Sequence, residues 1–161
     1  MYFDTHCHLN SEQLYENRDE FIKHALDNQV EMMVVVGYDL ESSKKAVEIA
    51  KEHSFIYAAV GIGPNDCLNT TTQDLQIIDE YLNEPKVVAL GEIGLDYYWD
   101  DVPSDKFFNN KLILLKNIKN QLLFIAEMLM KILMKCLKEM DIQELCIVIV
   151  DRWKWLKDLL I

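Results

Sequence analysis

Over the first hundred residues, apolar positions come in short unbroken runs separated by longer stretches where they recur every three or four residues. The runs at residues 2–3, 32–36, 55–60 and 87–90 lack polar alternation, as expected of strands covered on both faces in a parallel sheet. Between them the spacing predicts helices. Residues 18–29 pair Phe21 with Ala25 and Ile22 with Leu26, and residues 40–52 set Ala46, Val47 and Ala50 on one face behind a cap at Asp39. Residues 72–83 align Leu75, Ile78 and Leu82 after a cap at Thr71, with Asp74 three residues on and Pro85 as the stop. Strict strand and helix alternation implies parallel strands with right-handed crossovers, hence an α/β class, either a doubly wound sheet or a β/α barrel. Periodicity does not choose between the two.

The pattern changes near residue 106. Residues 1–106 hold 7 Lys plus Arg against 21 Asp plus Glu, a net charge of −14, while residues 107–161 hold 9 against 6, a net of +3. All five glycines, all three prolines and all four histidines precede the break, and no threonine follows Thr72. The remaining Leu, Ile, Lys and Met favour helix locally. Apolar residues there come in runs, LILL at 112–115 and CIVIV at 146–150, without the sustained heptad of a coiled coil. The tail is therefore expected to be mainly helical or poorly ordered and to supply nothing to a site.

The 161 residues suit one domain, and the net charge of −11 argues against a broad basic surface for nucleic acid, because phosphate binding is driven by Lys and Arg releasing counterions. An enzyme gripping phosphates through metal ions is not excluded. The opening MYFDTHCHLN has neither a basic nor an extended apolar segment, so the expected location is cytoplasmic and no membrane is implied. Cys7, Cys67, Cys136 and Cys146 show no CxxC spacing and read as free thiols.

Two motifs carry chemistry. Asp4, Thr5, His6, Cys7 and His8 follow the first strand. Residues two apart on an extended chain project to the same side, so His6 and His8 can present both imidazoles to one metal ion. Gly91, Glu92, Ile93, Gly94, Leu95 and Asp96 follow the fourth strand. Glycines around a carboxylate allow close backbone approach, and a carboxylate at that rim can bridge two divalent ions. Tyr97, Tyr98 and Trp99 could stack on a base or pack against a barrel rim. His24 and His53 lie on helical stretches and read as ordinary surface or core-edge residues.

The segments FDTHCHLN, VVVGYD, YAAVGIGP and VVALGEIGLDYYWD together resemble the TatD family of metal-dependent hydrolases, over residues 2 to about 106. That resemblance implies an incomplete TIM-like (β/α) barrel, residues 1–106 supplying its first four β/α units and residues 107–161 a tail foreign to the family. It implies that His6, His8 and Glu92 are metal ligands, Glu92 shared between two ions, with Asp4 and Asp96 in support. Divalent ions (Mg²⁺, Mn²⁺ or Zn²⁺) would activate water for phosphodiester hydrolysis, and DNA would be the substrate. One departure is that Gly61, Ile62, Gly63 and Pro64 stand where the family has GxHP, which puts substrate contacts in doubt more than metal binding.

The family's later ligands, a histidine in an IHCRDA-like motif, another in HCYSG and an aspartate near the carboxyl end, are absent. The tail codons offer a reason. Shifted by one base, residues 124–128 permit His-Cys-Arg-Asp, continuing towards AYED, and residues 144–155 permit IVHCYSGSVEM. Two family motifs in order in one frame imply that the tail is family sequence translated out of frame. The chain as given is then expected to be a truncated remnant, with open sheet edges prone to self-association. The competing readings are a pseudogene product or interaction fragment without catalysis, and another HxH phosphoesterase of the polymerase-and-histidinol-phosphatase type or another amidohydrolase, against which GEIGLDYY argues.

Overall fold

The computed structural model describes residues 1–95, 121–126 and 145–148. Its elements run β1 (Tyr2–Cys7), α1 (Arg18–Asp27), β2 (Val30–Val36), α2 (Leu40–Glu52), β3 (Ile56–Val60), α3 (Thr72–Tyr81), β4 (Val87–Leu95), β5 (Gln121–Ala126) and β6 (Leu145–Val148), with 3-10 turns at Tyr15–Asn17 and Pro64–Asn69. The strands form one sheet in the order β1-β2-β3-β4-β5-β6, and each neighbouring pair is parallel. Sequential order with parallel pairing is the topology of a barrel wall, since a doubly wound sheet would reverse its order part-way. The first four strands, with the three helices between them, make an incomplete TIM-like barrel.

Unbroken apolar runs give β2, β3 and β4 two buried faces. On one face Met33 and Val35 of β2 join Ile56, Ala58 and Val60 of β3 and the buried side of α2, Ala46, Val47, Ile49 and Ala50. On the other, Val34 and Val36 meet Ala59 and Ala89, with Tyr57 and Val88 alongside. Each large apolar side chain removed from water contributes roughly 1.5–3 kcal/mol, so this layer anchors the strand ends that carry the chemistry. Of the two pairs predicted for α1, only Ile22 is buried, at 4% exposure, while Phe21 stays 44% exposed.

Both predicted caps form. The Asp39 side chain accepts from Ser42 N while Ser42 reaches back to the cap, and Thr71 and Asp74 exchange the same pair of bonds. These boxes satisfy donors that the first helical turn leaves unpaired, and Asp39 thereby fixes the turn joining the end of β2 to α2.

Two elements depart from expectation. β4 extends to Leu95, so Glu92 lies within the strand rather than after it; its glycines interrupt the register, which shifts between Leu90 and Ile93 against β5, without ending the strand. Within the tail, expected to be mainly helical or poorly ordered, the described segments are strands that continue the sheet. Their runs, QLLFIA and LCIV, are too short for periodicity to separate helix from strand, and pairing along the β4 edge overrides local helix propensity. The remainder of residues 107–161 lies outside the described residues.

Candidate metal centre

His6 comes from the last part of β1, His8 follows that strand's end, and Glu92 comes from β4. On a flat sheet β1 and β4 would lie roughly 14 Å apart, three spacings of about 4.8 Å. Curling of the half-barrel instead brings their side chains together at its carboxyl rim. His6 Nε2 lies 3.1 Å from His8 Nε2, and Glu92 Oε2 lies 3.6 Å from His6 Nε2 and 3.8 Å from His8 Nε2. These atoms form a group able to hold a metal ion, all within 4.8 Å of one another.

The donor set fits a divalent cation. With metal–ligand bonds of about 2.1 Å, neighbouring ligand atoms stand roughly 3.0–3.5 Å apart; the histidine pair at 3.1 Å already matches, and the 3.6 and 3.8 Å separations need only small contractions. His8 is well prepared for such a role. Its Nδ1 lies 3.0 Å from the Val36 carbonyl oxygen; a carbonyl only accepts, so Nδ1 carries the proton and Nε2 offers its lone pair. His6 Nδ1 is buried without a hydrogen-bond partner among the described residues, so no acceptor among them draws the proton to that nitrogen as Val36 O does for His8.

Glu92 is held through its backbone. Its N–H donates to Gly37 O at 2.7 Å, and Gly61 packs against the Gly91–Glu92 peptide so closely that a Cβ would come within 2.6 Å of the Gly91 carbonyl carbon. Gly63 faces the other carboxylate oxygen: a Cβ there would stand 3.5 Å from Glu92 Oε1. The position where the resembled family carries histidine is thus beside the centre.

Asp4 stands next to the histidines, its Oδ1 accepting from His6 N at 3.1 Å. Asp96, Tyr97, Tyr98 and Trp99 lie outside the described residues. Cys7 points away from the centre. Its thiol donates to Val34 O at 3.4 Å, and burial, aided by Asp4, pushes its pKa up to about 12. A thiol so disfavoured from ionising is a poor ligand. His24 is exposed and His53 half-buried, both away from this group.

Two neighbours are not among the residues singled out from the sequence. Tyr38 sets its ring edge-on to His8, 5.6 Å between centroids, and Asn10 is buried beneath the rim at 1% exposure. A period-two reading of residues 6, 8 and 10 would have found Asn10.

A curled parallel sheet bearing two histidines and a glutamate at its carboxyl rim is the framework of the β/α-barrel metal-dependent hydrolases. The family model described as TatD related DNase matches residues 3–146, and the chain belongs to that family. It is 45% identical over 121 residues to YabD of Bacillus subtilis (strain 168), named an uncharacterized metal-dependent hydrolase, covering 73% of this chain and 48% of YabD. To the 3'-5' ssDNA/RNA exonuclease TatD of Escherichia coli (strain K12) it is 32% identical over 95 residues, 59% of this chain and 36% of that protein. The crystal structure of YJJV, a TatD homologue from Escherichia coli K12, superimposes with a TM-score of 0.79 at 24% identity, over 86% of this chain and 55% of that one, which shows the shared fold. The chain thus spans about half the length of these relatives or less. Among the described residues, no helix is long and apolar enough to cross a membrane.

Proposed function

We propose that His6, His8 and Glu92 hold a divalent ion, Mg²⁺, Mn²⁺ or Zn²⁺, as the amino-terminal part of a two-ion centre for phosphodiester hydrolysis in DNA. The observation that carries this reading is the convergence of the two Nε2 atoms and Glu92 Oε2 within 3.1–3.8 Å. Glu92 turns Oε2 to the histidines and keeps Oε1 on the Gly63 side, which suits a carboxylate shared between two ions. Asp4 and Asp96 are assigned supporting roles. A bound divalent ion would polarise the phosphoryl group and lower the pKa of water. DNA is the substrate class, by analogy with exonuclease-named relatives, and the cytoplasm the proposed location.

For the chain as given we infer little or no turnover. No histidine follows His53, so a second ion lacks the imidazoles that the family's later motifs would supply, and the tail is read as out-of-frame family sequence. A remnant or interaction fragment without catalysis is the second reading, favoured by that same missing ligand set. Self-association fits the open β1 edge, where Tyr2 is 66% and Phe3 52% exposed. The test is divalent-ion binding by the purified chain, followed by Co²⁺ absorption and Mn²⁺ titration, alongside turnover on single-stranded DNA. Binding abolished by His6→Ala is expected; a chain that takes up no ion refutes the centre.

A further inference from the structure

Asn10 sits two residues past His8, almost fully buried, and belongs to no element. Its Nδ2 donates to Val36 O at 2.9 Å and to Ser42 O at 2.9 Å. Both partners are carbonyl oxygens, so the atom facing them must be the amide nitrogen, and the side chain has one admissible orientation. The cost falls on its other end: Oδ1 is buried with no hydrogen-bond partner among the described residues. An amide whose oxygen goes unpaired is an expensive filler for a buried pocket. What distinguishes Asn10 from an apolar residue there is its pair of donated bonds.

One of those bonds ends on the carbonyl that orients His8. Val36 O accepts from His8 Nδ1 at 3.0 Å as well as from Asn10, one donor for each lone pair. Ser42, the second acceptor, is locked into the first turn of α2 by its exchange with Asp39, and its Oγ also accepts from Tyr38 N at 2.9 Å. Asn10 therefore clamps the end of β2 to the start of α2 and fixes the Val36 carbonyl where His8 meets it. The His8 side chain is itself 36% exposed, so packing alone does not hold the ring.

We propose that Asn10 is a positioning residue which, through the Val36 carbonyl, holds His8 in the Nδ1–H tautomer with Nε2 directed at Glu92 and His6. The link to ion affinity rests on the metal-centre reading above; the tautomer itself does not. Partners that orient a metal-binding histidine typically contribute roughly 10- to 100-fold in affinity.

The experiment compares wild type, Asn10→Leu and Asn10→Ser, with Ile22→Ala as a control that perturbs the core under α1 without touching the rim. Long-range ¹H–¹⁵N spectra of the metal-free protein, at a pH where imidazoles are neutral, report which His8 nitrogen bears the proton. Wild type and Ile22→Ala should show Nδ1–H. Both Asn10 variants should show a mixture of tautomers, with Co²⁺ affinity lowered roughly 10- to 100-fold. Asn10→Ser keeps a polar group in the pocket and carries the same readout if Asn10→Leu does not fold. An unchanged Nδ1–H tautomer in a folded Asn10 variant overturns the proposal. If wild type binds no Co²⁺, the metal-centre reading fails, while the tautomer comparison still decides the role of Asn10.

Discussion

Gly61 lies directly against the peptide that precedes Glu92: a Cβ at residue 61 would stand 2.6 Å from the Gly91 carbonyl carbon and 2.7 Å from the Glu92 carbonyl oxygen. These are backbone atoms with no flexible end to yield, so Gly61→Ala must push β3 and β4 apart and carry the Glu92 carboxylate out of line. Overpacking of this kind costs typically ~1–3 kcal/mol. Gly63→Ala is the contrasting case, since its Cβ would meet Tyr38 O, Glu92 Oε1 and Asp66 Oδ2 at 3.4–3.6 Å, ordinary contact distances. Thermal denaturation and Co²⁺ titration should show Gly61→Ala impaired in both and Gly63→Ala close to wild type. Equal behaviour of the two variants would refute the close-packing argument.

Ion binding at the centre should stabilise the fold, because an ion that binds only the native state adds RT ln(1 + [L]/Kd), about 2.7 kcal/mol at a hundredfold excess over Kd. His6 and Glu92 come from strands separated by two others, so a shared ion would tie β1 across the sheet to β4. The melting temperature should rise with added Mn²⁺ or Zn²⁺ and return to its starting value with chelator. His6→Ala and Glu92→Gln should remove most of the rise. A rise of the same size in His6→Ala would mean that the ion binds elsewhere.

The start of α3 gives a pH prediction. Asp74 Oδ2 accepts from Thr71 N and Thr71 Oγ1, each at 2.8 Å, and these bonds hold its carboxyl below the ordinary value of 3.8. With the folded pKa below the unfolded one, the contribution is present above 3.8 and is lost as pH falls through the lowered folded value. Asp74→Ala should therefore melt earlier than wild type at neutral pH, and the gap should close in acid below 3.8. A gap independent of pH would show that the carboxylate is not the stabilising group.

Local signals were legible where cause and effect lie close in sequence. Asp39 and Thr71 were recognisable as caps because capping is an exchange between a side chain and the backbone three residues on. His6 and Glu92 could be placed at one rim because parallel alternation puts every strand's carboxyl end on the same side. The sequence places Gly91 and Gly94 after the fourth strand, yet they lie inside β4; the close backbone approach expected there is met at Gly91, against Gly61. β5 and β6 were illegible for a different reason: their pairing partner is an edge supplied by residues far away in sequence. The Val36 carbonyl could not have been foreseen as the His8 acceptor, because a backbone acceptor leaves no mark in the side-chain pattern.

The change of frame inferred for residues 107–161 makes the largest prediction. A two-ion centre needs both ions fixed while a position stays open for water. His6, His8 and Glu92 are the metal-capable group found among the described residues, and the sequence offers no imidazole beyond His53 for a second ion. The shifted frame would restore His-Cys-Arg-Asp over residues 124–128, within and just after β5, and the HCYSG motif within residues 144–155, a segment that includes β6. The first motif would then stand at β5, which pairs with β4, and the second at β6, one strand further along the sheet. A full-length version, frame-corrected between codons 106 and 124 and so regaining the family's carboxyl-end aspartate, should accordingly turn over single-stranded DNA with Mn²⁺ faster than the chain as given, by the ~10²- to 10⁴-fold that a positioned acid–base group supplies. It should also raise the bound ion count from one towards two, which is measured by metal analysis and does not depend on the choice of substrate. If the chain as given and the frame-restored version turn over DNA equally, and His6→Ala abolishes both, the half-site suffices and the out-of-frame reading of the tail is wrong.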